Sequence, residues 1–308
     1  MFRPTRALFA LISLLALLLT TPAATDASTS VAFPSECEVG KPFVVALSSH
    51  EPFDSPTVKW LGRTVSLDVE PGREGFVSYG LLGSFVRDVK PGEYPLEFEF
   101  SRGERLRVTC QVVLKPGQYE EEQLTVEPKM VTPAKKDIPR IQKETALSYA
   151  ARNTMTVRRR WTSPPARPVE GVFTGAYGSH RIFNGVPKGY HNGVDFRAPV
   201  GTPILAPFAG TVVLVGDHYY SGKSVYIDSG NGVISMLFHM SEIGVKQGQR
   251  VEKGQVVGKS GATGRVTGPH LHYSLSLAGQ YVDSAPLFGT SITAMLGQAP
   301  TRHEVVLP

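Results

Sequence analysis

The sequence predicts an all-β protein of two units joined by a linker that contains one helix. Its 308 residues exceed the usual size of one domain. Residues 28–116 contain short alternating or β-branched runs separated by Pro-Gly and Arg-Gly turn signals. Residues 168–290 contain β-branched runs between closely spaced glycines, and no helical stretch separates these runs. A parallel βαβ architecture is therefore excluded.

The N-terminal segment, residues 1–27, has the pattern of a secretion signal. Arg3 and Arg6 form a positively charged start, residues 8–19 are an apolar run, and small residues follow through Ala27. The run is shorter than the ~20 residues that span a bilayer, so a cleaved signal is favoured over a membrane anchor. We therefore predict export to the periplasm or the cell exterior, with membrane contact only through an uncleaved signal.

The first unit, residues 28–116, is predicted to be an immunoglobulin-like β-sandwich. Apolar and polar residues alternate over 94–100, so one face of that strand is expected to enter a core. Because the Cys-Trp-Cys spacing of true immunoglobulins is not evident, the prediction covers only the architecture. Cys37 and Cys110 are the only cysteines, and export favours a disulfide between them over two buried thiols. That bridge would close a loop of about 73 residues and contribute roughly 4 kcal/mol.

The linker is predicted to span residues 117–167. Prolines keep its first part extended, whereas residues 140–152 are rich in helix formers. A connection of this length is expected to dock on one of the units. The basic run 158–160 could contact anionic envelope polymers or lipid headgroups, although such runs are more often simply solvated. The net charge of +5 is not attributed to nucleic-acid binding, because the chain has no recognisable binding motif.

Four of the eight histidines stand in three tight contexts in the second unit. His270 and His272 are two residues apart, so on a strand they share a face about 7 Å apart. His191 and Asp195 also share a face in a strand or a helix, and His239 follows a predicted strand. Two imidazoles and a carboxylate suit a catalytic zinc ion, which keeps one position open for water. A second histidine pair can manage protons and steady an oxyanion.

Other side chains near these motifs are weaker candidates. Arg181 could contact substrate or brace the metal loop, with an ordinary surface arginine as the alternative. Tyr219 and Tyr220 could wall a peptide groove or form an ordinary turn. Asp283 is interpreted as a turn residue rather than a second metal ligand. The remaining histidines are interpreted as structural or surface residues: His50, His180, His218 and His303. Of these, His180 and His218 stand in segments that could border the cleft.

Two longer motifs surround the candidate ligands. His191-x-x-x-Asp195 is followed by APVGTPILAP and GTV within 198–212, and GATGRVTGPHLH occupies 261–272. In order and separation, these motifs resemble those of the lysostaphin-type (LytM-like) zinc endopeptidases of cell walls. The resemblance covers about residues 168–290 and implies an antiparallel β-sheet with a substrate groove.

The same resemblance implies a role for each candidate residue. His191, Asp195 and His272 would hold one zinc ion, and His239 and His270 would be catalytic histidines that do not bind it. All five positions are filled, which favours an active enzyme. The implied activity is that of an exported zinc metalloendopeptidase that hydrolyses peptidoglycan stem or cross-bridge peptides with a metal-activated water. The H-E-x-x-H helix of thermolysin-like peptidases is absent.

Two other functions compete with this interpretation. A non-catalytic module could bind the wall or activate another hydrolase through the same groove. A secreted peptidase could instead act on a protein substrate. We expect a monomer, with residues 291–308 as a C-terminal tail.

Overall fold

The computed structural model of the protein describes residues 29–297 and 301–305. The predicted signal segment lies outside this part of the chain. No helix in the described residues is long and apolar enough to cross a bilayer. Most regular structure is β-strand, which confirms the all-β prediction. The helices are α1 (Pro128–Val131), α2 (Ile138–Arg152) and α3 (Ile292–Gly297).

Two five-stranded sheets form the first unit, in the orders β23-β1-β3-β7-β6 and β2-β9-β8-β4-β5. Their strands are β1 (Thr29–Phe33), β2 (Glu36–Glu38), β3 (Phe43–Ser49), β4 (Asp54–Trp60), β5 (Arg63–Ser66), β6 (Glu70–Gly72), β7 (Gly75–Leu82), β8 (Gly92–Arg102), β9 (Glu104–Lys115) and β23 (Thr301–Val305). Leu96, Phe98 and Phe100 on β8 are at most 1% exposed, as their alternation predicts. They share one core with apolar residues of β1, β3, β4 and β9, so the two sheets face each other.

The predicted disulfide between Cys37 and Cys110 is wrong, because both cysteines are free. β2 runs parallel to β9, with Cys37 opposite Leu114. Leu114 is four residues beyond Cys110 on the same strand, or about 13 Å along it. A disulfide requires Cα atoms within about 7 Å. Burial raises the pKa of Cys37 to about 11, so this side chain remains a neutral thiol.

The linker docks on the second unit through a strand and a helix. β10 (Glu121–Leu124) pairs in parallel with β12 (His180–Phe183), and β13 (Val186–Tyr190) completes this small sheet. Helix α2 confirms the helix predicted at 140–152, and its side chains reach the large sheet of the second unit. The Ser148 and Tyr226 hydroxyl oxygens are 2.8 Å apart, and Arg140 donates to the Asp217 carbonyl oxygen at 2.8 Å.

A ten-stranded sheet forms the body of the second unit. Its main order is β11-β14-β21-β18-β17-β16-β19, with β15, β20 and β22 attached to it. All of its strand pairs are antiparallel. The strands are β11 (Phe173–Gly175), β14 (Val194–Arg197), β15 (Pro203–Leu205), β16 (Gly210–His218), β17 (Gly222–Asp228), β18 (Val233–Ile243), β19 (Arg250–Val251), β20 (Val256–Ser260), β21 (His270–Leu277) and β22 (Gln280–Val282).

Ion pairs and ring contacts join the first unit to the rest of the chain. Lys41 Nζ lies 2.7 Å from Asp283 Oδ2, so Asp283 has a partner in the other unit, not only a turn role. Arg159, within the basic run, donates from Nε to Glu70 Oε1 at 3.0 Å. Its guanidinium also lies 5.5 Å from the ring centroid of Tyr79 in the first unit. Arg159 is therefore engaged inside the protein, which supports a structural role for this member of the run.

Candidate functional site

The centre of the large sheet places two of the candidate ligands side by side. β14 and β21 are adjacent, and their register sets Asp195 directly opposite His272. On the other side of β21, Phe238 of β18 pairs with His272, and the two rings are stacked at 5.3 Å between centroids. Both ligand candidates are thus held by strands with neighbours on each side. Their positions depend on sheet register rather than on a mobile loop.

His191 reaches the same point from the segment that precedes β14. Gly193 allows this approach, because a Cβ atom there would lie 2.2 Å from the Tyr273 carbonyl oxygen. His191 Nε2 is 3.1 Å from Asp195 Oδ1 and 2.9 Å from His272 Nδ1. His272 Nδ1 is in turn 2.8 Å from Asp195 Oδ1. Three ligand-type atoms therefore converge on one small volume, and the three residues are buried.

The hydrogen bonds around these three side chains fit a bound cation. Because the Ala176 carbonyl oxygen at 2.7 Å can only accept, His191 Nδ1 carries the hydrogen and Nε2 presents a lone pair. His272 Nε2 is 2.7 Å from the Ser274 hydroxyl, which can accept its hydrogen and leave the Nδ1 lone pair free. Tetrahedral zinc with bonds of about 2.0–2.1 Å places neighbouring ligand atoms about 3.3 Å apart. The observed separations come close to this value.

The second oxygen of Asp195 is held by Arg181. Arg181 Nη2 donates to Asp195 Oδ2 at 2.6 Å, and its Nε donates to Glu122 Oε2 at 2.8 Å. Arg181 therefore has the bracing position that was one of its two sequence interpretations. Glu122, on linker strand β10, gave no sequence signal, because it lies 73 positions before Asp195. Its link to Asp195 through Arg181 depends on the parallel pairing of β10 with β12.

His239 and His270 lie beside the three ligand candidates. Their ring centroids are 4.8 Å apart, and His270 Nε2 is 3.7 Å from Asp195 Oδ1. His239 Nδ1 donates to the Thr263 carbonyl oxygen and His270 Nδ1 to that of Gly268, each at 2.8 Å. In each ring Nε2 therefore remains available to accept a hydrogen bond or a proton from substrate or water.

The position of His239 depends on an unusual backbone conformation. Successive side chains alternate across a strand, so His239 should point away from the ring of its neighbour Phe238 and from His272. Its φ of 62° lies in the left-handed region and departs from the regular strand geometry. Such a conformation costs about 1–3 kcal/mol in a residue other than glycine. The sequence contains no signal for this feature.

An open cleft of about 420 Å³ contains all five of these residues. Tyr220 lines it, as one sequence interpretation expected of this side chain, whereas Tyr219 is absent from its lining. The His180 ring is tilted by 59° to that of Tyr190, and His218 Nδ1 lies 3.2 Å from the Ser224 hydroxyl oxygen. Neither histidine lines the cleft. The lining also includes Glu122, Leu124 and Val126 from the linker, and none of residues 29–115.

Burial and charge set the protonation of the cluster. Burial alone raises the pKa of Asp195, but His191 and His272 outweigh it and hold that pKa well below its ordinary value. Burial lowers the pKa of His272 to about 4, against a partial opposing effect of Asp195. Burial, with His270 and His272, likewise holds the pKa of His239 well below the ordinary value. At neutral pH Asp195 is therefore a carboxylate, and His239 and His272 are neutral imidazoles.

These shifts predict that the metal-free protein loses stability as the pH falls from about 6.5 to about 4. The unfolded chain binds a proton at His272 near pH 6.5, whereas the folded chain does so only near pH 4. This difference costs about 3 kcal/mol across the window, and His239 acts in the same direction. Urea unfolding of chelator-treated protein at pH 7.5, 6, 5 and 4 measures the effect. In His272→Gln the slope should decrease, and an unchanged slope would contradict the assignment.

Two imidazoles and one carboxylate that line an open cleft match the donor types of a hydrolytic metal site. A second pair of histidines beside them is of the residue type that moves protons in catalysis. The class defined by fold and site is therefore that of an all-β metallopeptidase.

Comparison with known proteins specifies the family. Residues 189–284 match the model of peptidase family M23. The crystal structure of a Pseudomonas aeruginosa protein described as an M23 peptidase is 34% identical, with a TM-score of 0.63, over 82% of this chain and 95% of that one. The chain belongs to peptidase family M23.

Similarity to curated relatives extends over about a third of the chain. The chain is 49% identical over 94 residues to peptidoglycan DD-endopeptidase ShyA of Vibrio cholerae, or 30% of this chain and 22% of that protein. It is 42% identical over 93 residues to DD-carboxypeptidase/endopeptidase Mpg of Neisseria meningitidis, or 30% and 21%. The chain thus aligns with about a fifth of the length of these relatives.

Proposed function

We propose that the protein is an exported zinc metalloendopeptidase that hydrolyses peptide bonds in peptidoglycan. The observation that carries this proposal is the convergence of His191 Nε2, Asp195 Oδ1 and His272 Nδ1 within 2.8–3.1 Å of one another. These atoms would bind one zinc ion, and the cleft leaves its fourth position accessible to water. The names of the curated relatives support peptidoglycan as the substrate, and peptidoglycan in turn supports action in the periplasm or at the cell wall.

The chemistry divides between the metal and the histidine pair. When bound, zinc supplies Lewis acidity that favours ionisation of water and polarises the scissile carbonyl. His239 and His270 face the same space with Nε2 and would between them accept the water proton, donate to the developing oxyanion and protonate the leaving amine. Hydrogen bonds to backbone carbonyls fix both rings in orientation. Asp195, held through Oδ2 by Arg181, would keep Oδ1 directed at the metal.

We further infer the role of the rest of the chain. The first unit, residues 28–116, would be an immunoglobulin-like sandwich, an inference supported by its two facing sheets and shared core. None of its described residues 29–116 lines the cleft, so it would position the enzyme rather than bind the scissile bond. The linker would be residues 117–167 and the peptidase unit residues 168–290, in a monomeric protein.

Digestion of purified peptidoglycan tests the function directly. Zinc-loaded protein should release fragments that have lost peptide cross-links, and mass spectrometry should identify the bond that is cut. Chelation and His191→Ala should each stop the release. Binding of peptidoglycan without hydrolysis would favour a non-catalytic module, and hydrolysis of proteins alone would favour a secreted protease.

Replacing Glu122 by Gln is expected to weaken zinc binding about tenfold, in the range typical of residues that orient metal ligands. Glu122 shares the positive charge of Arg181 with Asp195, so its loss leaves that charge to neutralise the ligand carboxylate. Chelator competition measures the affinity. Glu121→Gln is the matched control, because Glu121 is an exposed neighbour on the same strand. If Glu122 acts through Arg181, its replacement should have no further effect in an Arg181→Met background.

A further inference from the structure

Arg265 lies in a loop that also positions the catalytic histidines. The loop precedes β21, and its Thr263 carbonyl oxygen accepts the His239 Nδ1 hydrogen at 2.8 Å. Arg265 N–H donates to the Tyr220 carbonyl oxygen at 2.8 Å. At Gly264, a Cβ atom would lie 2.5 Å from the Gly222 nitrogen, and φ is +77°. The backbone of Arg265 is therefore fixed relative to the cleft.

The Arg265 side chain is held between two aromatic rings in the cleft wall. Its guanidinium carbon lies 4.4 Å from the Phe183 ring centroid and 4.8 Å from that of Tyr220. These ring contacts hold the guanidinium group by its face. Most of its five N–H donors, which lie along its edge, are left without a hydrogen-bond acceptor. Among residues 29–297, no side-chain hydrogen bond or carboxylate within 4.0 Å serves this guanidinium. Burial lowers the pKa of Arg265, Tyr220 opposes the shift and the Arg181 charge adds to it.

The charge of the cleft is not balanced by its own residues. Apart from histidine, its lining has four basic side chains and two acidic ones, Glu122 and Asp195. Both carboxylates already contact Arg181. Arg265 is thus a partly buried cation in the lining of a cleft whose two carboxylates are both paired with Arg181. A charge with this exposure to the cleft favours an anionic ligand.

We propose that Arg265 binds a free carboxylate of the substrate that flanks the scissile peptide bond, and that it makes the enzyme selective for such peptides. The planar guanidinium suits two parallel hydrogen bonds to one carboxylate. Stem peptides of peptidoglycan have free carboxyl groups of this kind unless they are amidated. This role rests on the proposed function of the cleft.

Two synthetic cross-linked stem peptides test the proposal, identical except that the carboxyl group beside the scissile bond is free in one and a carboxamide in the other. The wild-type chain, loaded with zinc, should have a kcat/KM about 10- to 100-fold higher for the carboxylate peptide. Arg265→Met should lose this preference, so that the ratio of its kcat/KM values for the two peptides falls to near one. Arg250→Met, which removes an exposed cation on β19 outside the cleft, should retain the preference.

The outcomes separate this role from packing and from the proposed function. Equal loss on both peptides in Arg265→Met, or equal wild-type rates on both, would overturn the proposal. Arg265→Lys keeps the positive charge but loses the paired N–H donors of the guanidinium, so it should retain part of the preference. It replaces the Met variant if that protein does not fold. If the wild type hydrolyses neither peptide, the proposed function fails. In that case calorimetry measures the dissociation constant of each peptide. Tighter binding of the carboxylate peptide would support the role of Arg265, and equal affinities would reject it.

Discussion

Replacing Asp195 by Ala is expected to abolish zinc binding and hydrolysis together. The substitution removes the only anionic ligand candidate of the cluster and leaves Arg181, a half-buried cation, beside two histidines. Residues that merely orient a ligand contribute about 10- to 100-fold to metal affinity, so loss of the ligand itself should exceed 100-fold. Metal analysis after dialysis and chelator competition measure the binding, and release of peptidoglycan fragments measures the activity.

A surface aspartate provides the control for this experiment. Asp217 is exposed on β16 and outside the cleft, so Asp217→Ala should keep one zinc ion per chain and its activity. An Asp195→Ala protein that still binds one zinc ion with unchanged affinity would show that the metal, if any, is bound elsewhere.

Replacing His239 or His270 by Ala is expected to separate metal binding from turnover. Neither side chain belongs to the three converging ligand atoms, so each variant should retain one zinc ion. Because proton transfer by a positioned histidine typically contributes 10²- to 10⁴-fold, kcat should fall by about this factor in each variant. The measurements are kcat on a stem peptide and zinc content of the same samples.

His180→Ala is the matched control for the histidine pair. His180 is half-buried on β12, its ring is tilted by 59° to that of Tyr190, and it is absent from the cleft lining. It should keep both zinc and kcat within a few-fold of the wild type. Loss of zinc in His239→Ala or His270→Ala would instead assign that histidine to the metal.

The sequence predicts much of the site because local spacing and strand geometry determine it. The interval between His270 and His272 gives a shared face whatever the partner strands are, and the alternation at Leu96, Phe98 and Phe100 identifies a core face in the same way. The composition of residues 140–152 predicts α2 because helix propensity is largely local. These features need no knowledge of distant contacts.

The remaining features depend on contacts that spacing does not encode. The proximity of Glu122 to Asp195 requires a parallel strand pair between linker and peptidase unit. The orientation of His239 requires a positive φ, which no local residue pattern predicts. The disulfide prediction failed for a related reason, since the register of β2 on β9 separates Cys37 from Cys110. Which strands pair, and in which register, therefore cannot be predicted here from the sequence alone.

Strand β10 changes where the peptidase unit can be cut from the rest of the chain. A truncated protein that starts at residue 168 would keep all five histidine and aspartate positions but lose Glu122 and the linker side of the cleft. It would also leave the N–H and C=O groups of β12 unpaired along an open edge, which invites aggregation. A truncation that starts before Glu121 retains this strand. The catalytic unit therefore begins upstream of the residues that match the family. The first residue of a truncated protein should be chosen so that β10 still pairs with β12.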